Sequence, residues 1–210
     1  MFGIINYEVF ILSGILLNIT PGTDTMYILS RSISQGKKAG FLSVMGIATG
    51  ALFHCIFTAF GISLLIAQSP VAFDIIKYAG ALYMLYLGGQ ILYTEFFTTK
   101  TTTVQSASPI PEGRDIYFSG VLTNLLNPKV ALFFLAFLPQ FVATSHSKEA
   151  LPFVLLGATF ITTGVLWCFS LVFFASKASD RIRKNPSIKK KLDLVTAVVF
   201  IILASKLAFF

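Results

Sequence analysis

The sequence predicts an all-α integral membrane protein with six transmembrane helices in two inverted three-helix repeats. Three observations predict this fold class. Hydrophobic residues make up 55% of the 210 residues and charged residues only 12%, with a mean hydropathy of +0.80, which is too apolar for a water-soluble domain. Six apolar runs each reach the ~20 residues that a spanning helix needs. One polar stretch divides these runs into two groups of three.

The six apolar runs fall near residues 8–29, 40–67, 71–93, 115–142, 150–175 and 191–209. The second and fourth runs exceed the length needed to cross a bilayer, so we expect them to tilt or bend. Residues 95–114 form a polar linker of low complexity between a first repeat at 1–94 and a second at 115–210. Because each repeat crosses three times, the second is expected to lie upside down relative to the first.

The distribution of positive charge predicts the orientation in the membrane. Twelve of the sixteen Lys and Arg residues lie in the first, third and fifth connections, against three on the opposite face. This positive-inside bias places those connections and the linker in the cytoplasm, and both termini outside it. The basic cluster between residues 181 and 191 is expected to contact anionic lipid headgroups, and a nucleic-acid partner is not expected.

Two prolines interrupt apolar runs at matching depths. Pro21 and Pro128 each fall 12 residues into a run, counted from Val9 and from Ile116, or about 18 Å, a little past the middle of a roughly 30 Å hydrocarbon core. Proline breaks the helical hydrogen-bond ladder, and lipid provides no partner for the freed groups. A matched pair of broken segments indicates a transporter binding site. The prolines are 107 residues apart, an offset that predicts an internal repeat.

Asp24 and Lys129 are the two formally charged residues that the sequence places clearly inside the membrane. Charge at that depth costs about 2.5–3.5 kcal/mol on insertion scales, so it needs a partner or a wet cavity. One interpretation is a salt bridge that locks the first helix to the fourth, and another puts Asp24 in the cytoplasmic headgroup layer. The functional interpretation places both on the substrate path, with Asp24 facing a cation or proton and Lys129 an anion. A small zwitterion would match this pair.

Polar side chains around both prolines complete the predicted site. The predicted substrate-binding residues are Asn18, Thr20, Pro21, Gly22, Asp24, Asn124, Asn127, Pro128 and Lys129. The alternative is that the Asn and Thr residues only satisfy backbone groups freed by the prolines. Asp24 and His54 are the candidates for proton coupling, although His54 could equally be a hydrogen-bonded structural residue. No catalytic residue, metal site or cofactor is predicted, because no corresponding motif occurs.

Several glycines have the spacing that lets helix backbones approach closely in lipid. They form the pairs Gly36-x-x-x-Gly40 and Gly46-x-x-x-Gly50, and Gly157 and Gly164 could act similarly in the fifth helix. We expect packing within one bundle. A homo-oligomer that uses these faces is the alternative that the sequence leaves open.

Three segments resemble the LysE/RhtB superfamily of exporters of amino acids and related solutes. They are Thr20-Pro21-Gly22, Asn127-Pro128-Lys129 and the stretch from Gly80 to Gly88. The resemblance covers nearly the whole chain and implies efflux across a bacterial cytoplasmic membrane, driven by the proton gradient. This chain has Thr23-Asp24 where the family commonly has a proline after Pro-Gly, so no specific amino acid can be carried over.

These observations together predict a multi-pass secondary transporter that exports amino acids or similar small polar solutes. Its expected partners are the small-molecule substrate and membrane lipids. The alternatives are an exporter of metal or other cations and an intramembrane hydrolase. The hydrolase is disfavoured because the sequence contains neither a nucleophile-elbow nor a zinc-protease motif.

Overall fold

The computed structural model describes residues 2–62 and 113–184 continuously, and isolated positions between 71 and 93 and between 194 and 205. The predicted linker, most of the predicted third and sixth helices and the resemblance at Gly80 to Gly88 therefore lie largely or wholly outside the described residues. Every regular element in the described part is helical, and its only β feature is an isolated bridge between Ile4 and Val142.

The first predicted break is present. Helix α1 spans Tyr7–Ile19 and helix α2 spans Thr23–Phe57, continued by a π-helical turn at Thr58–Ile62. Thr20 has a ψ of 119° and so leaves the helical region, as steric repulsion from a following proline requires. Gly22 then continues in extended backbone before α2 begins. The sequence Thr20-Pro21-Gly22 thus forms the break.

Helix α2 reverses direction at Gly36. This glycine has φ 83° and ψ −180°, a region that is essentially restricted to glycine. A straight helix would separate residues 24 and 48 by about 36 Å, yet Asp24 and Ala48 line one cavity. Ser32 likewise contacts the position of Gly40. Helix α2 is therefore a hairpin of two arms, residues 23–35 and 37–57, and its turn lies within the predicted first connection.

The second predicted break is also present. Helix α3 spans Gly113–Leu125 and helix α4 spans Pro128–Leu132, and α4 continues as a π-helical turn at Phe133–Phe137 and a 3-10 turn at Leu138–Phe141. The two parts are bent by 49°. Asn127, before the proline, has a ψ of 106°. A further 3-10 turn at Thr144–His146 leads to helix α5, Ala150–Lys184.

Close backbone contacts hold the second arm of α2 against α3. A Cβ atom added at Gly46 would overlap the Tyr117 carbonyl oxygen, and one at Gly50 would lie 2.7 Å from Cβ of Asn124. Gly46 and Gly50 thus pack within the bundle, as their spacing predicts. Gly36 does not, because no atom of residues 2–62 or of the other described segments lies within 4 Å of an added Cβ there. Gly36 instead forms the turn between the two arms of α2.

A cluster of aromatic side chains joins α1, the α4 region and α5. Phe133 is fully buried and stacks on Phe160 of α5 with ring centroids 4.3 Å apart. It also contacts Phe10 of α1, at 5.6 Å. This cluster fixes the first broken helix and the second broken helix against the same face of α5.

The described residues contain two apolar helices long enough to cross a membrane, Thr23–Gly61 and Ala150–Phe174, or three if the bent pair from Gly113 to Phe141 counts as one span. Since Thr23–Gly61 reverses at Gly36, its crossing segment is the arm that follows the turn. The part of the chain that the structure describes is all-helical, as in a helical membrane protein.

Candidate functional site

The two helix breaks lie next to each other, and the predicted charged residues lie between them. Asn124 donates a hydrogen bond from Nδ2 to Asp24 Oδ2 at 2.8 Å. Asp24, Asn124, Lys129 and Asn18 all line one cavity. Four of the nine predicted substrate-binding residues therefore meet at a single space, although they come from segments about one hundred residues apart.

Lys129 reaches across the first break. Its ammonium donates to the carbonyl oxygens of Thr20 at 2.9 Å and Leu17 at 3.1 Å. An added Cβ at Gly22 would lie 3.2 Å from the same nitrogen, so the absence of a side chain there makes room for the lysine. Two of the three ammonium protons are used in this way, and one remains for another acceptor.

Asp24 and Lys129 do not form an ion pair. Their contacts are instead with Asn124 and with backbone carbonyls, respectively. The salt-bridge interpretation of the sequence is therefore wrong for this structure. Asp24 is half-buried and its Oδ1 atom is inaccessible to solvent.

Three buried polar atoms around the breaks lack a hydrogen-bond partner. They are the acceptors Asp24 Oδ1 and Asn124 Oδ1 and the donor Asn127 Nδ2. Unpaired polar atoms are costly in a buried site, and each one requires an explanation. Two acceptors beside the cavity match a ligand that carries hydrogen-bond donors, such as an ammonium group.

Apolar side chains form the rest of the cavity wall. They come from the second arm of α2, from α4 and from α5, and are Val44, Ile47, Ala48, Ala51, Val130, Phe160, Ile161 and Val165. Thr25, Gly164 and Cys168 complete the lining. The cavity has a volume of about 40 Å³. The cavity is polar at one side, apolar at the other, and narrow.

The remaining predicted residues shape the breaks and do not line the cavity. Thr20 donates its hydroxyl to the Leu16 carbonyl at 2.7 Å. Asn127 caps α4, because its Oδ1 accepts the Lys129 N–H at 3.0 Å. Pro21, Gly22 and Pro128 act through the backbone. The alternative interpretation, that some polar residues satisfy freed backbone groups, holds for the Oδ1 atom of Asn127. It does not hold for Thr20, because the Leu16 carbonyl also accepts the Thr20 N–H at 3.1 Å.

His54 lies behind the site. Its Nε2 atom is 3.2 Å from the Asn124 carbonyl oxygen, and its ring stacks on Phe134 with centroids 5.9 Å apart. It does not line the cavity. Its link to Asp24 runs through Asn124, whose carbonyl contacts His54 and whose side chain contacts Asp24.

The contribution of α5 to the site was not predicted from the sequence. Asn18 donates to the Phe160 carbonyl at 3.3 Å and to Thr163 Oγ1 at 3.2 Å, and Gly164 packs against Asn18. The one indication in the sequence that α5 approaches the site was Gly164, which was predicted to allow close helix packing. Within the described residues, no group of three or more His, Cys, Asp or Glu side chains could hold a metal ion.

Comparison with known proteins agrees with this geometry. The family model for LysE type translocators matches residues 15–209. The chain belongs to the LysE type translocators. The resemblance seen in the sequence is thereby confirmed, and the protein is a membrane transporter and not an enzyme. The hydrolase alternative is rejected.

Relatives of this LysE type translocator match along almost their whole length. A leucine efflux protein of Salmonella typhimurium is 27% identical over 207 residues, which cover 99% of this chain and 96% of the relative. A leucine efflux protein of Enterobacter is 26% identical, with 99% and 97% covered, and one of Klebsiella pneumoniae is 27% identical. No solved structure matches the chain.

Proposed function

We propose that this translocator exports amino acids with apolar side chains across the bacterial cytoplasmic membrane as a proton-coupled secondary transporter. The observation that carries the proposal is a single cavity between two broken helices, with unpaired acceptors and a lysine at one side and apolar residues at the other. The relatives named leucine efflux proteins support the same substrate class.

The amino group is assigned to the acceptors of Asp24 and Asn124. Both Oδ1 atoms are buried and unpaired, and the Asn124–Asp24 hydrogen bond holds the two side chains in one orientation. An ammonium group bound there would gain a charge-assisted hydrogen bond to the carboxylate. It would also satisfy the amide oxygen.

The carboxylate is assigned to Lys129. Its ammonium retains one N–H after the two backbone carbonyls are satisfied, and it lines the same cavity as Asp24. The substrate side chain would then face Ile47, Ala51 and Ile161. A cavity volume of about 40 Å³ is far below the roughly 300–1,000 Å³ of pockets that enclose small molecules, so we expect binding to require the helices to separate.

Six helices in two inverted repeats would provide that movement. The residues before the two prolines, Thr20 and Asn127, have similar backbone geometry, with ψ 119° and ψ 106°, and they are 107 residues apart. In each half the second segment of the broken helix is followed by a reversal and a long helix. One repeat could rock against the other around the site, with both termini outside the cytoplasm.

Proton coupling is assigned to Asp24. It is the one acidic side chain that lines the cavity within the described residues. Protonation would remove the charge that holds the amino group, which would favour release on the acidic side of the membrane. His54, one hydrogen-bonded residue away, is the second candidate.

Counterflow in proteoliposomes tests the function. Vesicles preloaded with leucine, valine, alanine, glutamate or lysine are assayed for uptake of the same labelled amino acid. Exchange of the apolar amino acids, abolished in Lys129→Ala, supports the proposal. Exchange restricted to charged amino acids would overturn the substrate class. Retention of full pH-gradient dependence in Asp24→Asn would remove Asp24 from proton coupling.

The cation-exporter alternative is tested with the same protein. Divalent-cation binding is measured by calorimetry in detergent on the parent and on Asp24→Asn. Tight binding that is lost in the variant, together with absence of amino-acid exchange, would favour that alternative. Light scattering on the same sample determines whether the protein is a homo-oligomer.

A further inference from the structure

Each proline leaves one carbonyl of the preceding helix without its usual donor. In an α-helix the carbonyl of one residue accepts from the N–H four residues later, and proline has no N–H. Pro21 therefore leaves the Leu17 carbonyl without its helical N–H donor, and Pro128 leaves the Asn124 carbonyl without its own. Leu17 and Asn124 occupy matching positions, since the same 107 residues separate them.

A side chain from the opposite half of the chain contacts each of these carbonyls. The Lys129 ammonium donates to the Leu17 carbonyl at 3.1 Å, and Nε2 of His54 lies 3.2 Å from the Asn124 carbonyl oxygen. A carbonyl can only accept, so Nε2 of the imidazole carries a proton in this contact. The Asn124 carbonyl also accepts the Asn127 N–H at 2.9 Å, which occupies its second lone pair.

The surroundings hold both donors in place. Lys129 is 9% exposed and also donates to the Thr20 carbonyl at 2.9 Å, at the C-terminal end of α1, where the helix dipole favours a cation. The imidazole of His54 is buried and stacks on Phe134 with an interplanar angle of 19°.

We propose that Lys129 and His54 are reciprocal helix caps: each half of the chain supplies the donor that the proline of the other half removes. Loss of a donor to a backbone carbonyl is costly inside a bilayer. The cost is expected to be larger at Leu17 than at Asn124, because the Asn124 carbonyl keeps the Asn127 N–H as a partner. Each broken helix is therefore stabilised by a side chain that belongs to the other half. The two breaks then separate only when both donors are released, which makes the halves move as a coupled pair; this last step rests on the proposed transport function.

Double-mutant cycles test the caps without a transport assay. Replacing a proline by alanine restores an N–H that can donate to the same carbonyl once the preceding residue returns to helical geometry. The matched pairs are Lys129→Met with Pro21→Ala, and His54→Phe with Pro128→Ala. The crossed pairs, Lys129→Met with Pro128→Ala and His54→Phe with Pro21→Ala, are the controls. The midpoint of thermal unfolding in detergent is measured for all variants.

In the matched pairs the proline replacement is expected to recover the stability that is lost with the donor, and in the crossed pairs no recovery is expected, although the adjacent positions 128 and 129 need not be additive. Loss of the donor lowers the midpoint, and the matching proline replacement recovers most of that loss. Should Lys129→Met alone yield no folded protein, recovery of a monodisperse folded species in the matched double variant is the same result. Additive effects in both matched pairs, or no recovery of folded protein, would overturn the proposal.

Conservative variants and transport give a second readout. Lys129→Arg and His54→Gln keep an N–H donor and are expected to retain most of the parent midpoint. The matched double variants are expected to be stable but unable to exchange substrate, because the helices are no longer broken. Since the stability cycles need no substrate, the caps could hold even if the proposed substrate class fails. Conversely, exchange of apolar amino acids without coupling in the matched pairs would support the proposed function and overturn the caps.

Discussion

The Asp24 carboxylate gives the sharpest test of the proposed site. In Asp24→Asn the new amide has nearly the same shape but no charge. Its oxygen must accept from Asn124 Nδ2, as Oδ2 does at 2.8 Å, so its NH₂ group takes the place of the unpaired Oδ1. A substrate ammonium would then face a donor. A hydrogen bond to a charged group contributes about 1.5–3 kcal/mol, which corresponds to roughly 10- to 100-fold weaker binding.

The assay compares two ligands that differ only in the amino group. Half-saturating concentrations of labelled leucine are measured by counterflow, and 4-methylpentanoate, which lacks the amino group, is used as a competitor. Asp24→Asn is expected to weaken the binding of leucine but to leave competition by 4-methylpentanoate unchanged. Asp115→Asn, which removes the same charge at an exposed position of α3, is the control. If the binding of both ligands is weakened equally, Asp24 does not bind the amino group of the substrate.

Three further predictions concern packing and the turn, and all are read as midpoints of thermal unfolding in detergent. Gly46→Leu places a side chain into the backbone of α3 and is expected to cost about 1–3 kcal/mol. Gly61→Ala, whose added Cβ has no described atom within 4 Å, is the control and is expected to leave packing unchanged; equal effects would contradict the close approach. Gly36→Ala is expected to cost about 1–3 kcal/mol through φ 83° alone, and a stability equal to that of the parent would exclude the hairpin turn. Asn18→Leu removes the two hydrogen bonds from Asn18 to α5, one of them to the Phe160 carbonyl. At about 0.6 kcal/mol for each bond, the free energy of unfolding should fall by roughly 1 kcal/mol. An unchanged midpoint would show that α5 is held by apolar contacts.

The broken helices could be predicted from sequence because their cause is local. Proline removes a donor and restricts the residue before it, and the ψ angles of Thr20 and Asn127 follow directly. The polar composition around each break then predicts a shared site. These arguments require no knowledge of which helices touch.

The partners of each site residue could not be predicted, because they depend on tertiary contacts. Lys129 was expected to face an anion or Asp24, yet it donates to carbonyls of α1. The α5 wall of the cavity is formed mainly by the apolar residues Phe160, Ile161 and Val165, which the sequence does not distinguish from other apolar residues of that helix. Gly36 has the spacing of a packing glycine, and only its φ angle identifies it as the turn. Spacing alone does not distinguish these two uses of glycine.

The division of charge between the two halves follows from their contact with each other. At the offset of 107 residues, Lys129 corresponds to Gly22 and Asp24 corresponds to Ala131. The lysine side chain occupies the space beside Gly22, where an added Cβ would lie 3.2 Å from its ammonium. A second lysine at position 22 would compete for the same volume and place two like charges together. Under the proposed function, inverted repeats that bind an asymmetric zwitterion must lose their sequence symmetry at the site, and these two pairs of positions are among those where the sequence differs between the halves.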